Sequence, residues 1–200
     1  MRLHCFFDGG NKADSTQHDV VTLAVVCGIT EQIKPFDRDW MAVLRKHDVP
    51  LVHTTDAVSL KGRPVLVDFI YTTCPGPCPL MTTRMAAVAK LLGSKLGKQV
   101  TFVSISIDPE HDRPAELEKY ARAHGADEAG WLFLTGTPAQ IDRVLALYHL
   151  ERMRNPDGTL NHAVASFLLG PDGHQVRQYQ PLEVKASAVV TDIDRVLGRS

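Results

Sequence analysis

An apolar run that ends in a proline-braced cysteine pair, followed at once by a helical pattern, most constrains what this chain can fold into. Pro64-Val-Leu-Val-Asp-Phe-Ile-Tyr71 reads as a buried strand. Thr72 to Pro79 contains Cys74, Cys78, three prolines and a glycine, a loop that leads into a helix. Leu80 to Leu96 carries apolar residues at 81, 85, 88, 92 and 96, close to the helical period. A strand, a reactive loop and a helix in that order place the loop at the carboxyl end of a central strand, where open α/β sheets hold ligands.

The pattern continues in the same alternation. Val100–Ile107 is rich in β-branched residues and reads as a strand, and Pro114 opens a helix to about His124. Trp131–Leu134 is a short strand, and Thr137-Pro138 caps a helix with Ile141, Val144, Leu145 and Tyr148 on one face. Ala163–Leu169 and His174–Tyr179 read as strands around a Pro171-Asp172-Gly173 turn, and Val184–Leu197 as a last amphipathic helix. Strands alternating with helices imply a parallel core, with the hairpin as an antiparallel edge. The fold class is therefore α/β, a central mixed sheet flanked by helices. Residues 1–60 form a different unit: strands near Leu3–Phe7 and Val20–Cys27, a Gly9-Gly10-Asn11 turn and a helix over about 37–46, with 61–200 as the main domain.

Charge and composition exclude several functions. With a net charge of −1, no global field draws in nucleic acid or an acidic membrane surface. No run of apolar residues is long enough to span a membrane. The opening MRLHCFFDGGNKADS lacks the apolar core of a secretory signal.

The cysteines carry the chemistry. Four residues of helix advance about 6 Å and turn slightly more than once, so side chains at the spacing of Cys74 and Cys78 can converge. A helix N-terminus stabilises a thiolate, and the prolines reduce the entropy lost on binding. Such a pair can close a disulfide or grip a soft metal. Copper(I) prefers sulfur and accepts imidazole. A third donor is needed, and His162, just before a strand, lies in the loop expected to approach the cysteine loop. Two sulfurs and a nitrogen suit trigonal Cu(I), and an added water or carboxylate would suit Cu(II). The remaining histidines (4, 18, 47, 53, 111, 124, 149 and 174) read as non-ligands, His111 being the one at the same end of the sheet. Cys5 and Cys27 fall in apparent strands, where a buried, unreactive thiol is expected.

These residues resemble the Sco/SenC family of copper-binding proteins. The resemblance runs through Lys61 to Pro79 with its C-x3-C, Val103-Ser-Ile-Ser-Ile-Asp-Pro-Glu-His-Asp-Arg-Pro114, Trp131-Leu-Phe-Leu-Thr-Gly136, and His162 ahead of a strand and the Pro-Asp-Gly turn. It implies a thioredoxin-like fold, with Cys74, Cys78 and His162 as copper ligands. It also implies a part in building the copper site of cytochrome c oxidase, by delivering copper to an oxidase subunit or by keeping the receiving cysteines reduced. Asp108 matches the acid of the family's Ser-x-Asp-Pro stretch, and the resemblance implies that it tunes charge or orients a ligand near the site.

Two departures stand out. The histidine reads Asn161-His162-Ala163, without the acidic neighbour that family members often carry. Residues 1–60 lack the family's usual anchor or signal and hairpin. They resemble instead the opening of an RNase H-like protein, with Asp8 at the position of a metal-binding acid. Too little of such a fold is present for nuclease activity, so the chain reads as two unrelated pieces joined. The family implies a location at the periplasmic face of the inner membrane.

The leading function is a non-enzymatic metallochaperone that loads copper only when the pair is reduced, which makes a thiol reductant a partner. The alternative is a thiol–disulfide oxidoreductase with Cys74 as the attacking sulfur. Against it stand the C-x3-C spacing and the absence of a proline where Asn161-His162 lies. A peroxidase lacks its Pro-x-x-x-Thr-x-x-Cys loop, and a redox sensor would need the pair but not His162.

Overall fold

The computed structural model describes residues 3–9, 23–29, 60, 62–180 and 182–198. Strands β1 (Leu3–Gly9) and β2 (Leu23–Ile29) pair antiparallel, with Cys5 opposite Cys27 in the register. The expected Gly9-Gly10-Asn11 turn and the helix over 37–46 fall outside the described residues, as do the side chains of Cys5, Asp8 and Cys27.

The main sheet is built on β3 (Val65–Ile70), every residue of which is buried. Strand β4 (Thr101–Ser106) lies parallel on one side of it, followed by parallel β5 (Trp131–Leu134). On the other side β8 (Ser166–Leu169) runs antiparallel, followed by antiparallel β9 (Gln175–Tyr179). The order is β5-β4-β3-β8-β9. A central strand covered by helices on both faces has no polar side to show, which explains its continuous apolar run.

Alternation along β3 divides its neighbours. Val65, Val67 and Phe69 face one way, where Phe69 meets the rings of Tyr148 and Phe167 at 5.1 and 6.1 Å, beyond the end of helix α3 (Pro138–Leu147). Leu66, Asp68 and Ile70 face the other way, toward α1 (Pro77–Leu92). Helix α4 (Ala186–Leu197) packs against α1 on this side. Helix α2 (Pro114–Ala123) lies beside them, joined to α1 by a 2.9 Å hydrogen bond between the hydroxyls of Thr82 and Tyr120. Proline occupies the first turn of α1, α2 and α3, and Thr137 and Gln140 cap α3 reciprocally, as the sequence predicts for the last.

The elements match the sequence expectations with three differences. Helix α1 begins at Pro77, ahead of the apolar period from Leu80 and as a helix start near Pro77 or Cys78 requires for Cys74 to lie in the loop before it, and it stops at Leu92 before one turn of 3-10 helix, Gly93–Lys95. Strand β8 begins at Ser166 rather than Ala163. The residues ahead of it form a hairpin the sequence did not suggest: β6 (Arg152–Arg154) pairs antiparallel with β7 (Leu160–His162).

One close backbone approach fixes the entries to β4 and β5. A Cβ on Gly130, whose φ is +95°, would lie 2.3 Å from Gly97 Cα. By contrast Gly158, with φ +86°, faces open space. In urea unfolding Gly158→Ala is expected to lose about 1–3 kcal/mol from backbone strain alone. Gly130→Ala should lose clearly more, and equal losses would contradict the contact.

Candidate metal centre

The chain leaves β3 into a tight turn in which Cys74 N–H donates to the Tyr71 carbonyl at 3.2 Å. Helix α1 then starts with Gly76 at its N-cap and no side-chain oxygen to accept from its first turn. A sulfur takes that place: Cys78 N–H donates to Cys74 Sγ at 3.5 Å. The first N–H groups of a helix lack partners within it and carry partial positive charge, so this position favours a sulfur that holds negative charge. Both thiols are free and covered, Cys74 at 6% exposure and Cys78 at 0%.

His162 is the last residue of β7 and is half-buried. Its Nδ1–H donates to the Ala163 carbonyl at 2.9 Å, since a carbonyl can only accept. Nε2 therefore presents its lone pair, and it lies 3.9 Å from Cys78 Sγ. Donors bound at about 2.0–2.3 Å to one ion sit within about 4.4 Å of each other, so sulfur and ring are within reach of a shared metal. Burial lowers the pKa of His162, against the Ala163 hydrogen bond, and so keeps the ring neutral. Burial pushes the Cys78 thiol up, and Cys74 beside it adds to the shift. Without metal Cys78 is thus a thiol, and its S–H faces the Nε2 lone pair. Among the described residues no three His, Cys, Asp or Glu side chains already stand closed around a point.

Tyr71 positions the ring. Its edge meets His162 with centroids 5.9 Å apart at 76°. Its hydroxyl donates to the Leu160 carbonyl at 3.3 Å and accepts from Leu160 N–H at 3.4 Å, tying β7 to the end of β3. Burial pushes its pKa up to about 12, so the phenol keeps its proton.

Asp108 is 1% exposed and contacts neither the cysteines nor His162 through any hydrogen bond among the described residues. It binds Arg154 Nη2 at 2.5 Å and His111 Nδ1 at 3.0 Å. Burial would raise its pKa, but Arg154 and His111 hold it below the usual carboxylate range. Arg154 lies opposite Leu160 in the β6–β7 register, so Asp108 anchors the hairpin that carries His162. Arg152, opposite His162, is fixed likewise by Asp142 at 2.7 Å and Glu110 at 3.1 Å.

Sequence reasoning missed Asp112. It is fully buried and accepts from Thr72 N–H at 3.0 Å, Thr72 Oγ at 2.5 Å and Ser106 Oγ at 2.6 Å. It thereby fastens the start of the cysteine loop to the end of β4. The signal available was an acid four residues after Asp108, at the same end of the sheet as Thr72.

A third buried acid lies under α1. Asp68 is 0% exposed, and neither carboxylate oxygen has a hydrogen-bond partner. Burial raises its pKa to about 7, and the Ser104 hydroxyl opposite offsets this only in part.

A family model described as SCO1/SenC matches residues 52–198. The SCO1 protein homolog of Bacillus subtilis is 34% identical over 128 residues, 62% of this chain and 66% of that protein. The chain spans between about half and two thirds of the length of the first curated relatives it matches. Among solved structures, Bradyrhizobium japonicum ScoI with copper bound is similar with a TM-score of 0.60 and 29% identity, over 70% of this chain and 90% of that one. BsSco, a member of the Sco family of cytochrome c oxidase assembly proteins in which a disulfide switch is described, has a TM-score of 0.61 and 31% identity over 72% and 86% of the two chains. The fold is accordingly the thioredoxin-like one.

Because the pKa of Asp68 is raised on folding, the native state binds its proton more tightly than the unfolded chain does. This contribution is complete below about pH 4 and is lost as pH rises through about 7. The stability of Asp68→Asn relative to the parent should therefore grow by roughly 3 kcal/mol in urea unfolding between pH 5 and pH 8. An equal stability difference at both pH values would contradict the buried, unpaired carboxylate.

Proposed function

Since the chain belongs to the SCO1/SenC family, we propose that it holds a copper ion between Cys74, Cys78 and His162 and passes it to a copper-receiving protein in the assembly of cytochrome c oxidase. The observation that carries this reading is the neutral His162 ring, whose Nε2 lone pair faces Cys78 Sγ at 3.9 Å while Cys74 caps the same helix end. Two sulfurs and one imidazole match the preference of Cu(I) for soft donors with low coordination number.

Loading displaces protons, because both sulfurs bind as thiolates. Cys78 gives up the proton it holds toward His162, and the partial positive charge at the start of α1 stabilises the sulfurs that remain. Delivery is an exchange of ligands with sulfurs of the recipient. Cys78 is sealed and Cys74 is nearer the surface, beside exposed Pro75 and Gly76, so the recipient approaches from the Cys74 side. Oxidation of the pair to a disulfide removes both thiolates and stops loading, which makes a thiol reductant a necessary partner. We place this exchange at the periplasmic face of the inner membrane, as the family implies. Among the described residues no helix is long and apolar enough to cross a membrane.

Asp108 acts in this reading through Arg154. The ion pair holds the β6–β7 hairpin at the height where the His162 ring meets Cys78. The thiol–disulfide oxidoreductase alternative uses the same sulfurs and has no need of the ring, so the ring separates the two.

Cu(I) uptake by the reduced protein, measured against a competing chelator, tests the proposal. Cys74→Ser and Cys78→Ser should lose stoichiometric binding, and His162→Ala should weaken it by at least tenfold. Arg154→Met, which leaves all three donors in place, should weaken it by about 10-fold through the displaced hairpin. If His162→Ala binds copper as the parent does while the parent reduces insulin disulfides rapidly, the oxidoreductase reading replaces this one.

A further inference from the structure

On the face of β3 that carries Leu66, a cavity of about 240 Å³ opens between α1 and α4, away from the cysteine loop. Its walls are apolar: Leu66, Met85, Val88 and Val189. A dry cavity of about 150 Å³ accepts a benzene ring, so this one takes a ring with a few further atoms.

Four polar side chains break the apolar lining, one of which, Tyr179, has its hydroxyl engaged by Asp192 at 3.1 Å. Ser166 reaches the cavity from β8, is 2% exposed, and its hydroxyl has no hydrogen-bond partner. A buried hydroxyl without a partner costs free energy that a ligand oxygen would recover. Arg84 and Lys185 also line the cavity, and neither makes an ion pair among the described residues. The nearby Arg177 and Arg195 differ: both are taken by Asp192, at 3.3 and 2.8 Å. Half-buried Arg84 and exposed Lys185 place the positive charge at the mouth.

The orientation of a ligand follows from charge. Asp68 is opposite Ser166 in the β3–β8 register and on the same face, so an anionic group pushed to the floor would meet a second acid. The anion belongs at the mouth with the two cations, and a neutral oxygen belongs at Ser166.

We propose that this cavity is a binding site for a small hydroxyaryl carboxylate, with its ring against Met85 and Val88, its hydroxyl on Ser166 and its carboxylate on Arg84 and Lys185. The site shares no side chain with the copper donors and stands whether or not these bind copper.

The test is methionine-methyl NMR of the full chain titrated with para-hydroxyphenylpropanoate and, separately, with phenylpropanoate. The Met85 methyl should shift saturably with both, and the hydroxylated probe should bind about 5-fold more tightly, the worth of one hydrogen bond. Ser166→Ala should erase that preference without weakening phenylpropanoate. Arg84→Gln should weaken both probes alike, and Cys74→Ser/Cys78→Ser should bind both as the parent does. A Met85 methyl that does not move at millimolar probe overturns the site. So does an undiminished preference in Ser166→Ala, or unchanged binding when Val88→Phe fills the cavity.

Discussion

The N–H groups at the start of a helix need an acceptor, and at the start of α1 that acceptor is Cys74 Sγ. Much of the site depends on this bond. It turns the loop so that the sulfur of Cys74 sits over the same helix end from which Cys78 projects, four residues on. It aims a backbone N–H at the positive end of α1 toward the Cys74 sulfur. Proline at the first turn of α1 leaves one fewer N–H in need of a partner and pre-sets the backbone. A C-x3-C in an ordinary surface helix would have the same spacing and none of this arrangement.

In the proposed site the third donor comes from a separate two-stranded hairpin and is held by a different kind of force. His162 closes a hairpin of two three-residue strands, too short to be stable by its own ladder. The hairpin is fastened at one point by Tyr71, whose phenol both donates to and accepts from Leu160. It is fastened at others by Arg152 and Arg154, gripped by Glu110, Asp142 and the buried Asp108. An ion pair with one partner covered is screened less than a surface pair, and loss of the arginine would strand a buried charge. Polar anchors therefore position the ring, while the apolar core positions the sulfurs. Asp112 joins the two by tying Thr72, at the start of the cysteine loop, to Ser106 at the end of β4.

This division explains what could be read in the sequence. The strands β3, β4 and β5, the proline-started helices and the β8–β9 hairpin declare themselves through hydrophobic period and turn chemistry, because burial decides them. Cys74 and Cys78 were legible for the same reason, since a proline-rich loop between a buried strand and a helix has few other readings. The β6–β7 hairpin gave no such signal. Arg152-Met153-Arg154 is largely exposed, alternates nothing and is too short to show as a strand, so its partner Leu160–His162 reads as the loop ahead of β8. Asp108 was visible as a residue, but its link to Arg154, 46 positions away, was not. Asp112 was hidden by its context, because an acid in a charged loop ahead of a helix looks solvated until the fold encloses it.

The account rests on a sulfur pair and a ring from different parts of the chain closing on one ion. X-ray absorption at the copper edge of the reduced, Cu(I)-loaded protein measures that closure directly. The account predicts a three-coordinate site of two sulfurs and one imidazole nitrogen, with the nitrogen shell absent in His162→Ala. A two-coordinate, sulfur-only spectrum that His162→Ala leaves unchanged would contradict it.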